Sequence, residues 1–329
     1  GVHFDPFDPR RRFISYTDIG LWASDNAGES WYSATTSGVP PAWINTTYWM
    51  EFDPGVRGRM WAVMSAVHDL PRPKMWRHTS PDSYKGGVVR SDDGGRTWRA
   101  QTNGMPETAA THILRDPSGV LYVTGFGRGV YKSTDGGEHW SRKNSGIDGE
   151  QPFAWRLARD AKGALYLVVA RRSEDGSYGN AGDGVLYHST DSAEHWSRVR
   201  LPEGVNGPNG LAADPRDPDR LYLAAWGRST DDGALDGGIW LSTDAGSTWR
   251  NVLSKDQHIY DVTVNPRDPR VLYAAGFEGN VWRSADRGVT WQRVPGYDFK
   301  WGHRVIFDPY DEKKLYVTTF GGSVWSTSW

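Results

Sequence analysis

Three residues near the start of this 329-residue chain have side chains suited to moving protons: Asp18, His68 and Asp69. Asp18 sits in Tyr16-Thr17-Asp18-Ile19-Gly20, between a strand-like run and a glycine. A carboxylate buried in so tight a connection is costly without partners, so it should bond backbone, bond a ligand or do chemistry. His68 and Asp69 are neighbours in a long connection, where they either transfer protons or cap a turn. A second loop brings Arg171, Arg172, Glu174 and Asp175 together. A third groups Asp231, Asp232 and Asp236, which raises a structural calcium, although the spacing matches no EF-hand. No other metal or cofactor is expected.

Binding residues are expected beside this chemistry. Just upstream of a recurring Asp-Pro or its equivalent lie Tyr48 and Trp49, Thr111 and His112, Trp155 and Arg156, Asn209 and Gly210, Tyr260 and Asp261, and His303 and Arg304. Each pair precedes an apolar residue, which suits a wet, aromatic mouth above a packed interior. Tryptophan is abundant, at 18 residues, and most copies have a packing explanation in the repeat described below. Trp43, Trp49, Trp76, Trp155, Trp226 and Trp301 do not, and they fall in connections or at strand starts. Amphipathic rings around a concave mouth suit stacking on sugars; the competing role is to wedge between neighbouring sheets. The candidate substrate-binding set is therefore Trp49, Trp76, His112, Trp155, Arg156, Arg171, Trp226, Tyr260, Trp301, His303 and Arg304.

The elements that position these residues come from a repeat. An octet recurs as SDNAGESW (24–31), SDDGGRTW (91–98), STDGGEHW (133–140), STDSAEHW (189–196), STDAGSTW (242–249) and SADRGVTW (284–291). Its centre suits a hairpin turn in which glycine accepts positive φ and the aspartate bonds nearby amides. The closing Trp should begin the return strand. An alternating run precedes each octet, a Leu-Tyr-Val-like run precedes that, and a strand ending in Asp-Pro comes first. Each unit is thus a four-stranded antiparallel meander, strands A to D, with the octet joining C to D: the blade of a β-propeller.

Seven such sets predict an all-β, seven-bladed propeller as a single domain over 1–329, with blades starting near residues 2, 50, 113, 157, 211, 262 and 305. The seventh lacks an octet. Its outer strand should come from an upstream domain of the same protein, or the blade should have three strands. Glycine at 39 and proline at 19 fit many short strands joined by turns. A formal charge of −2 offers no electrostatic case for nucleic acid or an anionic membrane, and no apolar run is long enough to span one. Cysteine is absent, which removes disulfides and thiolate metal sites.

The octets resemble the Asp-box, or bacterial neuraminidase, repeat of sialidases, two-propeller xyloglucanases, sortilin-type receptors and a photosystem assembly factor. The resemblance implies that the octet is architectural and lies away from the ligand face. The stretch YTDIG is similar to the RTDIGG stretch of xyloglucanases (glycoside hydrolase family 74), whose aspartate is a catalytic carboxylate. It implies the same role for Asp18, with the family's second carboxylate on a second propeller that this chain lacks. The leading expectation is a secreted or periplasmic carbohydrate-active propeller, a glycoside hydrolase or its domain, acting on a plant or microbial polysaccharide. Asp69, Glu174, Asp232, Asp261 and Glu278 are open as Asp18's partner acid. A uronate lyase would instead use His68, His112 or His303 as base. The alternative class is a non-catalytic carbohydrate- or protein-binding propeller.

Overall fold

The computed structural model describes residues 1–70, 79–171, 184–297 and 300–328. Its strands form seven successive antiparallel sheets, the blades of a β-propeller. Six have four strands in meander order and the seventh has three, Gly302–Phe307, Lys314–Thr319 and Val324–Ser328. The expected seven-bladed architecture is therefore present, and within the described residues the last blade is three-stranded. The chain forms two compact units, Gly1–Trp155 and Arg156–Trp329.

The first unit carries three blades whose first strands are Val2–Phe4, Thr46–Phe52 and Ala110–Arg115. The second carries blades with first strands Pro208–Asp214, Ile259–Val264 and Gly302–Phe307; the remaining first strand, Phe153–Arg159, begins at the boundary. Except in blade one, these strands start three to four residues before the predicted positions. The polar residues ahead of each apolar anchor are strand residues themselves, because the backbone ladder continues past the apolar pattern. The loop holding Asp231, Asp232 and Asp236 contains an extra hairpin, Arg228–Thr230 against Gly233–Leu235.

Each octet folds as its composition dictates. In 133–140 the Ser133 hydroxyl donates to Asp135 Oδ1 at 2.8 Å and accepts from the Gly137 amide at 2.9 Å. Asp135 also accepts from the His139 amide at 3.0 Å. The fourth and fifth octet residues have positive φ, as in Gly136 (71°) and Gly137 (90°). The return strand starts one residue after the Trp, at Ser141 and Arg99 for example, not at the Trp itself. The ring is needed for packing: Trp98, Trp140 and Trp196 are buried, and Trp140 Nε1 donates to the Gln101 carbonyl at 2.8 Å.

One irregularity recurs. The pairing of first and second strands skips a residue at Tyr48, Thr111, Asn209, Tyr260 and His303. A bulge inserts one unpaired residue and re-aims the side chains around it. These bulges fall on the pairs singled out as mouth residues.

Candidate active site

In the first unit, Asp18 lies in the connection between strands Arg12–Ser15 and Leu21–Ser24. That connection is stitched at both ends. Tyr16 N donates to Gly20 O at 2.8 Å, Gly20 N to Asn45 O at 3.0 Å, and Thr47 N to Tyr16 O at 2.9 Å. A Cβ on Gly20 would stand 2.6 Å from the Ile44 carbonyl, so only glycine permits this stitching. Asp18 has φ of 77° and a side chain 57% exposed. The cost expected of a buried acid therefore does not arise; what marks Asp18 is a left-handed backbone on a non-glycine residue.

His68 Nδ1 lies 3.2 Å from Asp18 Oδ1 and 3.6 Å from Asp69 Oδ2. The three residues selected for proton chemistry thus meet around one buried imidazole nitrogen. Its alignment with either carboxylate is poor for a hydrogen bond, as catalytic contacts commonly are before substrate tightens them. Asp69, with φ of 53°, is only 17% exposed. The loop that carries the pair is held by Tyr48, whose hydroxyl donates to Val67 O at 2.8 Å and accepts from Leu70 N at 3.1 Å. Burial pushes the Tyr48 phenol well above its ordinary range, opposed by the Leu70 amide. It stays a neutral clamp.

Beside this centre the structure alters the expected binding set. Trp49 meets His3 edge-on (centroids 4.6 Å) and stacks on His112 (5.4 Å). His112 and Trp155 are buried, and Trp155 packs edge-on against Tyr48 at 5.5 Å. His112 and Trp155 are thus interior packing partners rather than rim residues, each held within a first strand and against another aromatic ring. His112 is accordingly unsuited to act as a lyase base. Trp43 is buried in the apolar cluster with Phe13, Leu21 and Met64, and its Nε1 donates to Glu107 at 2.7 Å. Glu51 receives the Trp49 Nε1 at 3.4 Å, and desolvation pushes its carboxyl up to about 8 against that bond and Arg115.

In the second unit, Arg156 forms two bonds to Asp261, at 3.0 and 3.3 Å, and Arg304 Nε reaches the same carboxylate at 2.5 Å. Burial pushes the Asp261 carboxyl up, opposed first by Arg156. A Cβ on Gly210 would stand 2.4 Å from Asp261 Oδ1, so the strand between must present glycine there. The two arginines are joined through Asp261, which removes that acid from the choice of free partner carboxylates. Tyr260 and His303, the bulged residues beside them, join an aromatic cluster with Trp226, Phe277 and Phe320. Trp301 is exposed.

Asp231 and Asp232 occupy the turn of the inserted hairpin, and Asp236 pairs with Arg228 at 2.9 Å. Among the described residues no three acidic or imidazole groups are placed to hold a metal ion. Trp76, Arg172, Glu174 and Asp175 and the Arg171 side chain lie outside the described residues. Two roles escaped the sequence: in the first unit Tyr48, expected only as a mouth residue, clamps the His68 loop, and in the second unit His258 bonds Glu278 at 3.0 Å. The place of Tyr48 ahead of an apolar anchor was its available signal; His258 had none.

Residues 128–276 match the family model for sortilin, neurotensin receptor 3. The chain is 25% identical over 264 residues to the oligoxyloglucan-reducing end-specific xyloglucanase of Emericella nidulans, covering 75% of this chain and 26% of that protein. It is 29% identical over 145 residues to a xyloglucanase of a Paenibacillus species, covering 37% of this chain and 14% of that one. Its fold superposes on the GH74 xyloglucanase from Xanthomonas campestris with a TM-score of 0.75 at 21% identity, covering 100% of this chain and 51% of the other. It also superposes on YCF48 bound to D1 peptide, with a TM-score of 0.67 at 15% identity, covering 99% and 91%. The chain therefore spans a third or less of the curated relatives it matches. No helix of the described residues is long and apolar enough to cross a membrane.

Proposed function

We propose that this chain is a polysaccharide-acting propeller of the glycoside-hydrolase type, with Asp18 as the carboxylate that touches the scissile bond. The reading is carried by one observation: an exposed Asp18, held by a stitched loop, faces an imidazole that Asp69 also faces. Similarity to xyloglucanases from a fungus and a bacterium supports a glucan as substrate, with xyloglucan as the first to test. An extracellular site of action follows from a polymeric substrate.

The chemistry follows from the geometry. A glycosidic oxygen must receive a proton, or a water must lose one, at a carboxylate that substrate can reach. Asp18 meets that requirement. His68 Nδ1 stands beside Asp18, where substrate can draw the two into alignment, and Asp69 flanks the same nitrogen. Asp18 and Asp69 are no further apart, at the oxygens facing Nδ1, than contacts of 3.2 and 3.6 Å laid end to end. Retaining enzymes space their carboxylates at about 5 Å and inverting ones at about 6.5–9.5 Å. Product stereochemistry therefore constrains the partner. Asp69 as partner fits retention, and fits inversion only at the upper limit of that separation.

The test is a polysaccharide panel scored for reducing ends and for absorbance of unsaturated products. Asp18→Asn should fold, still bind glycan, and lose at least about a hundredfold in turnover, the scale of a lost acid or base. Unchanged turnover in Asp18→Asn defeats the assignment. One observation favours a second reading, a non-catalytic interaction propeller: the match to peptide-bound YCF48 covers 91% of a chain of single-propeller size. Glycan or peptide binding without turnover by any member of the panel would put that reading first.

A further inference from the structure

Beyond Ala66, side-chain hydroxyls hold the connection that carries His68 and Asp69. Ser65 Oγ donates to Val67 O at 2.9 Å and accepts from Val67 N at 2.8 Å. The Tyr48 hydroxyl bonds Val67 O and Leu70 N. A third hydroxyl stands beside them unused. Ala66 N donates to Lys85 O at 2.9 Å, next to the paired residues Ser65 and Gly86, so Tyr84 flanks the same connection. Tyr84 is 1% exposed, and its hydroxyl is buried without a hydrogen-bond partner. A hydroxyl enclosed in that way lowers stability and calls for a reason.

Tyr84 is fixed from the third blade. It follows the short 3-10 helix Pro81–Ser83, whose Asp82 pairs with Arg128 and whose Pro81 Cγ would stand 2.5 Å from a Cβ on Gly127. Its ring lies 6.2 Å from that of Phe126. The connection it faces is under strain, with left-handed backbone at Asp69 (53°), as at Asp18 (77°). Among the described residues no hydrogen bond reaches the Asp69 carboxylate, which has the His68 ring at 3.6 Å. Burial alone pushes the Tyr84 phenol up. Burial is also the main effect on the Tyr48 phenol, opposed by the Leu70 amide, and Asp69, Tyr84 and Asp18 then add to the rise. These side chains therefore share one surrounding, in which a buried donor lacks an acceptor and a largely enclosed acceptor lacks a donor.

We infer that Tyr84 is a positioning residue of the Asp18 site: its hydroxyl donates to the Asp69 carboxylate when substrate draws His68 onto Asp18. The inference rests on the reading of Asp18 as the reacting carboxylate and adds the device that assembles it. In the free protein His68 Nδ1 stands between two carboxylates and is aligned with neither. Turning the ring onto Asp18 takes it away from Asp69, whose carboxylate then needs another donor. The Tyr84 hydroxyl supplies a charge-assisted bond from a fixed position. Tyr48 keeps Val67 in place, so the shift is confined to His68 and Asp69. Substrate binding thus completes the site, and the unpartnered hydroxyl is the mark of its incomplete state.

The test is steady-state kinetics of the full chain on xyloglucan and the rest of the polysaccharide panel, alongside melting curves. Tyr84→Phe removes a hydroxyl that bonds nothing in the free protein, so it should melt no lower than the parent. It should lose at least about tenfold in kcat and keep KM within about twofold, the split expected of a contact made only after binding. Adding Tyr84→Phe to Asp69→Asn should slow turnover no further, since the two residues act through one contact. A Tyr84→Phe kcat within about twofold of the parent's, a loss matched by a lower melting temperature, or additive losses in the double variant overturns the inference. The two readings fail differently. An inactive Asp18→Asn beside a Tyr84→Phe that works at the parent's rate removes the positioning role and keeps the hydrolase. An Asp18→Asn at the parent's rate, or a parent that turns over no polysaccharide, removes both.

Discussion

At the scale of single residues, two acids of the first unit illustrate opposite uses of environment. Asp18 is exposed, on a stitched loop beside His68. Glu51 is half-buried beside Trp49 and is pushed up to about 8 by desolvation. Its pH consequence follows from linkage. A carboxyl raised above its unfolded value keeps its proton in the native state while the unfolded chain has lost it. Stability therefore falls as pH rises from about 4.5 to about 8. Glu51→Gln, which keeps an acceptor for Trp49, should raise the melting temperature near pH 8 by about 2 °C or more and leave it unchanged near pH 4.5. Parallel melting profiles for the two proteins across that range would show that Glu51 does not titrate abnormally.

At the scale of elements, the octet turn is a motif in which backbone geometry is constant and residue type is not. Position four has positive φ whether it is Gly136 (71°), Ala245 (55°) or Arg287 (61°). Ala245 is exposed, so it contributes no packing to offset its strain. Ala245→Gly should stabilise the protein by about 0.5–1 kcal/mol, relief of left-handed strain exceeding the added freedom of the unfolded chain. Gly136→Ala should destabilise by a similar amount, since a Cβ there meets nothing closer than 3.7 Å and only the backbone term remains. Denaturant titration of the two variants decides this; shifts of the same sign would defeat it. The bulged first strands are the second recurring element. By placing Tyr48 on the His68 loop they connect the interior of a blade to its rim.

At the scale of the whole molecule, the octets impose a shared response to acid. Burial raises Asp135, but the amide and ring of His139 and the Ser133 hydroxyl overcome it and bring the acid to about 2. Thr290 and Ser284 do the same for Asp286, also at about 2, and Asp93, Asp191 and Asp244 are lowered too. A carboxylate held below its unfolded value stabilises the fold above about pH 4, and the contribution disappears as pH falls through about 2. Acid unfolding should therefore concentrate between those values, with the outer turns of several blades losing their bonds together. Circular dichroism across that range checks it. Constant stability from about pH 5 down to about pH 2.5 would contradict the shared response.

Much of this was legible in the primary structure because the information was local and repeated. Six octets specify turn geometry through residues within eight positions of one another, and alternation specifies the strands between them. Seven blades follow, as does the missing outer strand of the last within the described residues. Asp18, His68 and Asp69 were legible as residue types, and the YTDIG likeness singled out the first. That they converge was not legible. The contact joins loops some fifty positions apart and depends on a tyrosine hydroxyl from a third segment. Nor could periodicity show that His112 and Trp155 turn inward or that Arg156 and Arg304 share Asp261. A bulge shifts the strand register by one residue, and that shift moves every neighbouring side chain to a new face. Sequence determined the repeat and its turns; tertiary packing alone chose which aromatic residues remain at the surface.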